Sequence, residues 1–357
     1  MSATRLAEKN FFKVETINTI EEVINRFILD TNNYLYRGQR DHNWHLIPSL
    51  HRADDGVKNF LPKELKRKII KGDRKVFIDI EMELVKKFID NAHSISLRLP
   101  YKSMSILSDL KIKEQGLIDS WPSDECIEIL SLMQHNKMPT SLLDWTMNPF
   151  VGLYFACKEH VQVNRSSKRF SLWQFDFLKF ESIKEKLYKL KLKYKPDMIP
   201  PPINLIIEKI DSIKLYTSDS EINKNLSAQK GSFIYINYNG INENVSIDGF
   251  FNIIINEINE LRNNPITTVE NFLESDEDKR HDEVSNKFLE VFNQFSGVLI
   301  KFNINGRLAS EIVKIATKLG YSELSLFPSY ESCVNEVRIT NSVIKREKNM
   351  SRIGKPR

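Results

Sequence analysis

Two stretches of the chain crowd together side chains that do chemistry. The first reads Tyr36-Arg37-Gly38-Gln39-Arg40, then Trp44, then Pro48-Ser49-Leu50-His51-Arg52. An arginine beside a glycine, at the end of the aromatic stretch Tyr34-Leu35-Tyr36, is placed to project a guanidinium into a cleft while the backbone comes close to a ligand. The same arginine could instead be half of an internal ion pair with a carboxylate on a neighbouring element, and residue types alone leave both roles open. The second stretch is Met133-Gln134-His135-Asn136-Lys137-Met138-Pro139-Thr140-Ser141-Leu142-Leu143-Asp144-Trp145-Thr146. Burying so many amides, hydroxyls and an acid against a tryptophan is costly unless they bond one another. The run therefore reads as a preorganised site or a polar network. Arg37, Gln134, Asp144, Thr146 and Gln229 are expected to line one cleft.

Several familiar chemistries are excluded by pattern. His42, His45 and His51 lack the HExxH pairing and have no cysteine nearby, so no metal site is expected. There is no GxxxxGK loop, no GxGxxG and no GxSxG elbow, and the 12 glycines do not cluster. The three cysteines, Cys126, Cys157 and Cys333, lie far apart with no CxxC, which encodes neither a disulfide framework nor a zinc ribbon. With no secretion-signal layout in the first residues and no run of 18 apolar residues, the expectation is a reducing, cytoplasmic setting and no membrane partner.

The 357 residues are 41% hydrophobic and 28% charged, the balance of a globular chain. The net charge of +5 sits in one place. From Lys345 to Arg357 there are six cations against Glu347, so the preceding 344 residues sum to zero. Such a body exerts no overall pull on a phosphate backbone, and nucleic acid is not an expected partner beyond this basic tail.

Elements to position the two stretches are legible as helical stripes and apolar strands. Ile20, Val23, Ile24 and Phe27 predict a helix over 16–29, with Thr19 as a cap. Phe77, Ile80, Leu84, Val85, Phe88 and Ile89 predict another, and 124–133 a third. Phe150–Cys157 is apolar without alternation and reads as a buried helix under a sheet. Residues 170–175, 233–236 and 298–304 read as strands, and 310–319 as a helix capped by Ser310 and closed by Gly320. The lysine-rich segment 184–195 reads as an edge strand or a solvated helix, stopped by Pro200-Pro201-Pro202. Segments 182–212 and 239–285, the latter with Glu274-Ser275-Asp276-Glu277-Asp278, are expected as surface insertions. Without a regular βαβ rhythm the fold class is α+β, a mixed sheet core with flanking helices, in a single domain over 1–344 followed by the tail 345–357.

Taken together, Tyr36-Arg37-Gly38-Gln39 with Pro48-Ser49-Leu50-His51-Arg52 resembles the opening signature of the FRG domain family. The run from Gln134-His135 through Pro139-Thr140, Leu142-Leu143-Asp144-Trp145-Thr146, Asn148-Pro149 and Leu153-Tyr154-Phe155-Ala156 is similar to that family's longest motif. Ala228-Gln229-Lys230-Gly231-Ser232-Phe233 and Ser325-Leu326-Phe327-Pro328 resemble its later pieces, so the resemblance spans about 15–340. The family occurs in bacterial and phage-related proteins, and its arrangement is similar to the ADP-ribosyltransferase fold. That resemblance implies NAD as substrate, a protein acceptor, and a role as a bacterial toxin or phage-defence effector. The alternative it leaves is a non-catalytic module that recognises a nucleotide or a protein. By the same comparison Arg37, Gly38, Gln39, Gln134 and Thr140 would hold the dinucleotide, and Asp144, Thr146 and Gln229 would face the scissile bond. Gln229 offers an amide where that fold presents a glutamate, so Asp144, or failing it Glu331, would supply the charge. Ser141 and Asn225 stand where the family commonly has arginine.

Overall fold

In the computed structural model, residues 12–28, 33–52, 60, 74–100, 103, 105–106, 121–162, 168–217, 231–237, 246–263 and 276–353 are described. Seven strands make one sheet: β1 (Lys13–Ile17), β2 (Leu35–Gln39), β3 (Leu143–Thr146), β4 (Arg169–Phe175), β5 (Ile213–Thr217), β6 (Gly231–Ile236) and β7 (Leu299–Asn305). They stand in the order β1-β7-β4-β2-β3-β6-β5. β1 runs parallel to β7, and each other neighbouring pair is antiparallel. The helices are α1 (Ile20–Phe27), α2 (Arg74–Ser94), α3 (Ile127–His135), α4 (Pro149–Gln162), α5 (Phe177–Lys193) and α6 (Pro201–Asp211). They continue with α7 (Ile247–Asn263), α8 (Asp276–Phe292), α9 (Ala309–Lys318), α10 (Glu323–Leu326) and α11 (Tyr330–Ile353). The fold is α+β, with a mixed sheet and helices on both faces.

The apolar residues sort into groups that the sheet separates. On one face Trp145, Trp173 and Phe175 pack with Phe180, Ile183 and Leu187 of α5, the isoleucines of α6, and Phe250, Phe251 and Ile254 of α7. On the other, Tyr36, Leu172 and Phe302 pack with Val23 and Phe27 of α1, most of α4, and Ile312 and Val313 of α9. A third group joins α2 and α3 to Phe233 and Tyr235 of β6. Each fully buried side chain of this size contributes about 1.5–3 kcal/mol.

Local signals account for most boundaries. Thr19 caps α1 as expected: its Oγ1 accepts from the Glu22 amide, and the Glu22 carboxylate accepts from the Thr19 amide. Phe27 then meets Tyr36 and Phe302 edge-on, which fixes α1 against two strands. The Asn148 side chain accepts from the amides of Phe150 and Val151 and so starts α4, with Pro149 in its first turn. Gly320, at φ +90°, closes α9. Ser310 is not its cap. It is buried inside α9, and Asn305 caps the short turn that precedes that helix.

In both expected surface insertions the helices among the described residues pack into the core instead. Residues 182–212 form most of α5 and α6, burying Ile183, Leu187, Ile203, Ile206, Ile207 and Ile210. The proline run begins α6 rather than stopping it, because Pro201 and Pro202 occupy the first turn, where amide donors have no helical partner. The isoleucines follow at three- and four-residue spacing, a stripe that the lysines of α5 obscured. Residues 239–285 likewise include α7, whose Phe250, Phe251, Ile254 and Ile258 are buried. Glu274, Ser275, Asn225 and Gln229 lie outside the described residues, as do Lys355 and Arg357. From Lys345 to Ile353 the basic tail continues α11.

Candidate functional site

The two chemistry-bearing stretches meet at the loop before β3. Ser49 Oγ receives the Thr140 amide at 3.0 Å, and the Leu50 amide donates to the Thr140 carbonyl at 3.1 Å. Glu81 of α2, itself buried, accepts from the Ser141 amide at 2.6 Å and from the Trp121 indole at 2.9 Å. These bonds hold the entry to β3 beside β2.

β2 and β3 share one register pair, Tyr36 with Thr146. Continued, that ladder would set Asp144 opposite Gly38. Arg37 intervenes: its Nη1 donates to the Asp144 carbonyl at 2.6 Å, so a guanidinium satisfies a backbone acceptor that the diverging strands leave open. The same nitrogen lies 3.6 Å from Asp144 Oδ2. Asp144 Oδ1 accepts from Gln134 Nε2 at 2.6 Å, and Gln134 Oε1 accepts from the Thr140 hydroxyl. The chain Thr140–Gln134–Asp144–Arg37 therefore sets the amide orientation of Gln134 and aims one carboxylate oxygen at the arginine. Asp144 remains 56% exposed, whereas the Arg37 side chain is 15% exposed. Burial pulls the Arg37 guanidinium down to about 10, with Asp144 opposing and Arg52 adding to the shift. It stays charged at neutral pH.

Over this network opens a cleft of about 840 Å³. Arg37, Gly38, Gln39, Gln134, Asp144 and Thr146 line it, so five of the expected polar groups and the glycine converge from separate elements. Gln229 lies outside the described residues. Thr140 is fully buried behind Gln134 and does not reach the opening. Gln39 is also spent: its amide donates to the His45 carbonyl and accepts from the Trp173 indole, both at 2.9 Å. Thr146, 6% exposed, accepts from the Asn148 amide and shapes the turn into α4. Gly38 serves packing rather than ligand approach, because the carbonyl of Gly152 in α4 occupies the space its side chain would need.

The rest of the cleft wall takes Arg40 and Trp44 from the first stretch and Lys158, Glu159 and Glu323 from places the sequence did not advertise. Arg40 pairs with Glu159 and stacks its guanidinium 4.6 Å from the Trp44 ring centroid. Lys158 bonds Glu323 at 3.2 Å and stands over both Phe155 and Phe327. Tyr154 donates to the same carboxylate at 3.3 Å, and burial with that neighbour raises its pKa. Lys158 and Glu159 are charges at the end of an otherwise apolar helix, a signal that could have found them. Glu323 had none. Glu331 lies at the rim. Among the described residues no three metal-ligating side chains gather; His45 bonds buried Asp248 at 2.6 Å, and His51 packs on Phe77.

A single mixed sheet with a polar, arginine-floored cleft between its helices makes this an α+β fold. Residues 32–165 match the family model of the FRG domain. The match takes in β2, α3, β3 and α4, hence Arg37, Gln134 and Asp144, and ends before β6 and the Ser325–Pro328 piece. No curated protein and no solved structure matches the chain. No helix among the described residues is long and apolar enough to cross a membrane.

Proposed function

We propose that the cleft binds NAD and breaks the bond between the nicotinamide nitrogen and the ribose. The electron pair leaves with nicotinamide, and water or a protein nucleophile forms the new bond at the ribose carbon. The observation that carries this reading is Asp144: a carboxylate more than half exposed, at the cleft floor, with one oxygen fixed by Gln134 and the other facing Arg37. Such a group can oppose the positive charge that develops on the ribose. Arg37 and Arg52 supply cations for the diphosphate, and the aromatic rings of Trp44, Phe155 and Phe327 supply surface for the bases. An activity of this kind suits a toxin or phage-defence effector working on cytoplasmic NAD.

The test is nicotinamide release from NAD by the purified chain, with and without bacterial lysate as acceptor. Release that Asp144→Asn abolishes is the expected result. A second reading, a nucleotide-recognising module without chemistry, is favoured by the 3.6 Å approach of Arg37 to Asp144, since a carboxylate engaged by a guanidinium has less charge to offer. Calorimetric binding of NAD without turnover would establish that reading instead.

A further inference from the structure

Helix α3 ends in a turn that calls for glycine and has lysine. The Met138 amide donates to the Met133 carbonyl and the Lys137 amide to the Gln134 carbonyl, both at 3.0 Å. This paired bonding closes a helix through one left-handed residue, and that residue is Lys137, at φ +66°. A β-carbon disfavours the conformation, so glycine would close α3 at lower cost. Nothing in the fold offsets the difference: Lys137 is exposed and has no hydrogen-bond or ion-pair partner for its side chain among the described residues. What it does is line the cleft, from the same turn as Gln134 and His135.

The other cations of the cleft wall are held differently. Arg40 is paired with Glu159, and Lys158 with Glu323. Arg37 commits Nη1 to Asp144, while its buried Nε has no partner among the described residues, so part of its donor fork is uncommitted. Arg52 stands close enough to depress the Arg37 pKa, and like charges gathered in this way are stabilised by an anion. We propose that Lys137 binds the diphosphate of the nucleotide, from the Gln134 side of the Gln134–Asp144 bond, while Arg37 holds it from the Asp144 side. The role rests on the nucleotide reading of the cleft and gives the left-handed lysine a use. An ammonium on a closed turn meets an incoming anion without first leaving a carboxylate, as Arg40 or Lys158 would have to do.

Isothermal titration of the full chain with ADP, NAD and inorganic pyrophosphate tests this, for wild type, Lys137→Gly and Lys137→Arg. The glycine variant should bind ADP and pyrophosphate about tenfold more weakly. It should also melt about 1–2 °C higher, because glycine relieves the left-handed turn. The arginine variant should recover most of the affinity with no gain in melting temperature. Equal affinities in wild type and Lys137→Gly would overturn the role and leave the nucleotide reading standing. Pyrophosphate binding that depends on Lys137, with no response to ADP or NAD, would keep the anion subsite and end the nucleotide reading. A wild type that binds neither ADP nor pyrophosphate would overturn the proposal, as would a glycine variant that melts below it, since the lysine would then be serving the fold.

Discussion

A β-carbon added to Gly38 would stand 1.9 Å from the carbonyl oxygen of Gly152. The two glycines are the point at which α4 rests on β2, and the obstacle is backbone, which cannot rotate away. Gly38→Ala should therefore cost about 3 kcal/mol through overpacking. Thermal unfolding should show a loss of several degrees, and an unchanged midpoint would mean that α4 is not in this contact.

Asp144 is more than half exposed, so its pairing with Arg37 contributes little to stability. Asp144→Asn is expected to lower stability by at most about 1 kcal/mol, which separates a loss of nicotinamide release from a loss of fold. Denaturant midpoints measured beside the release assay check this. A variant that unfolds would assign Asp144 a structural role.

Gln134→Glu places a second carboxylate at hydrogen-bond distance from Asp144 Oδ1. Two such groups cannot both ionise freely, so the pair should titrate in two steps, the upper one raised above the ordinary carboxylate range. Carboxyl carbon NMR resolves the steps. Ordinary titration of both groups would show that they are not in contact.

Glu336, on α11, accepts from the Glu323 amide at 3.1 Å, yet burial raises its pKa, with the Glu323 charge adding to the shift. A carboxyl whose folded value is raised contributes stability that is complete in acid, below its unfolded value, and lost as pH climbs through the folded one. Glu336→Gln keeps an amide-bond acceptor and removes the charge. It should stabilise the protein at neutrality by a few tenths of a kcal/mol and change little in acid, as read from urea midpoints in both conditions. Greater stabilisation in acid than at neutrality would reverse the assignment.

The cleft was legible where sequence neighbours carry it. Arg37, Gln134 and Asp144 stand in dense polar runs beside apolar elements, and the structure brings them into one network. Helices with clean stripes were equally plain, as Val23 and Phe27 show. What stayed hidden depended on tertiary choices. The Gly38 backbone serves a helix rather than a ligand because Gly152 happens to cross it. Thr140 looks like a ligand group until its hydroxyl is seen to fix Gln134. Strand β3 is four residues long, too short for alternation to reveal. Ile203 and Ile206 were masked by the neighbouring prolines and lysines, whose local preferences the packing overrides.

The position of β1 governs when the molecule can close. Its ladder partner is β7, the last strand in the chain, and the register runs from Lys13 with Ile300 to Ile17 with Ile304. A ribosome delivers β1 well before its mate, with β2 through β6 between them, so this ladder cannot form until β7 has emerged. The segment that bears the FRG match is in a similar position, since β4, which zips along all of β2, emerges after residue 165. The arginine floor of the cleft therefore waits for β4, and a ribosome that stalled before β4 would leave a polypeptide with Arg37, Gln134 and Asp144 but not the strand that sets them in place.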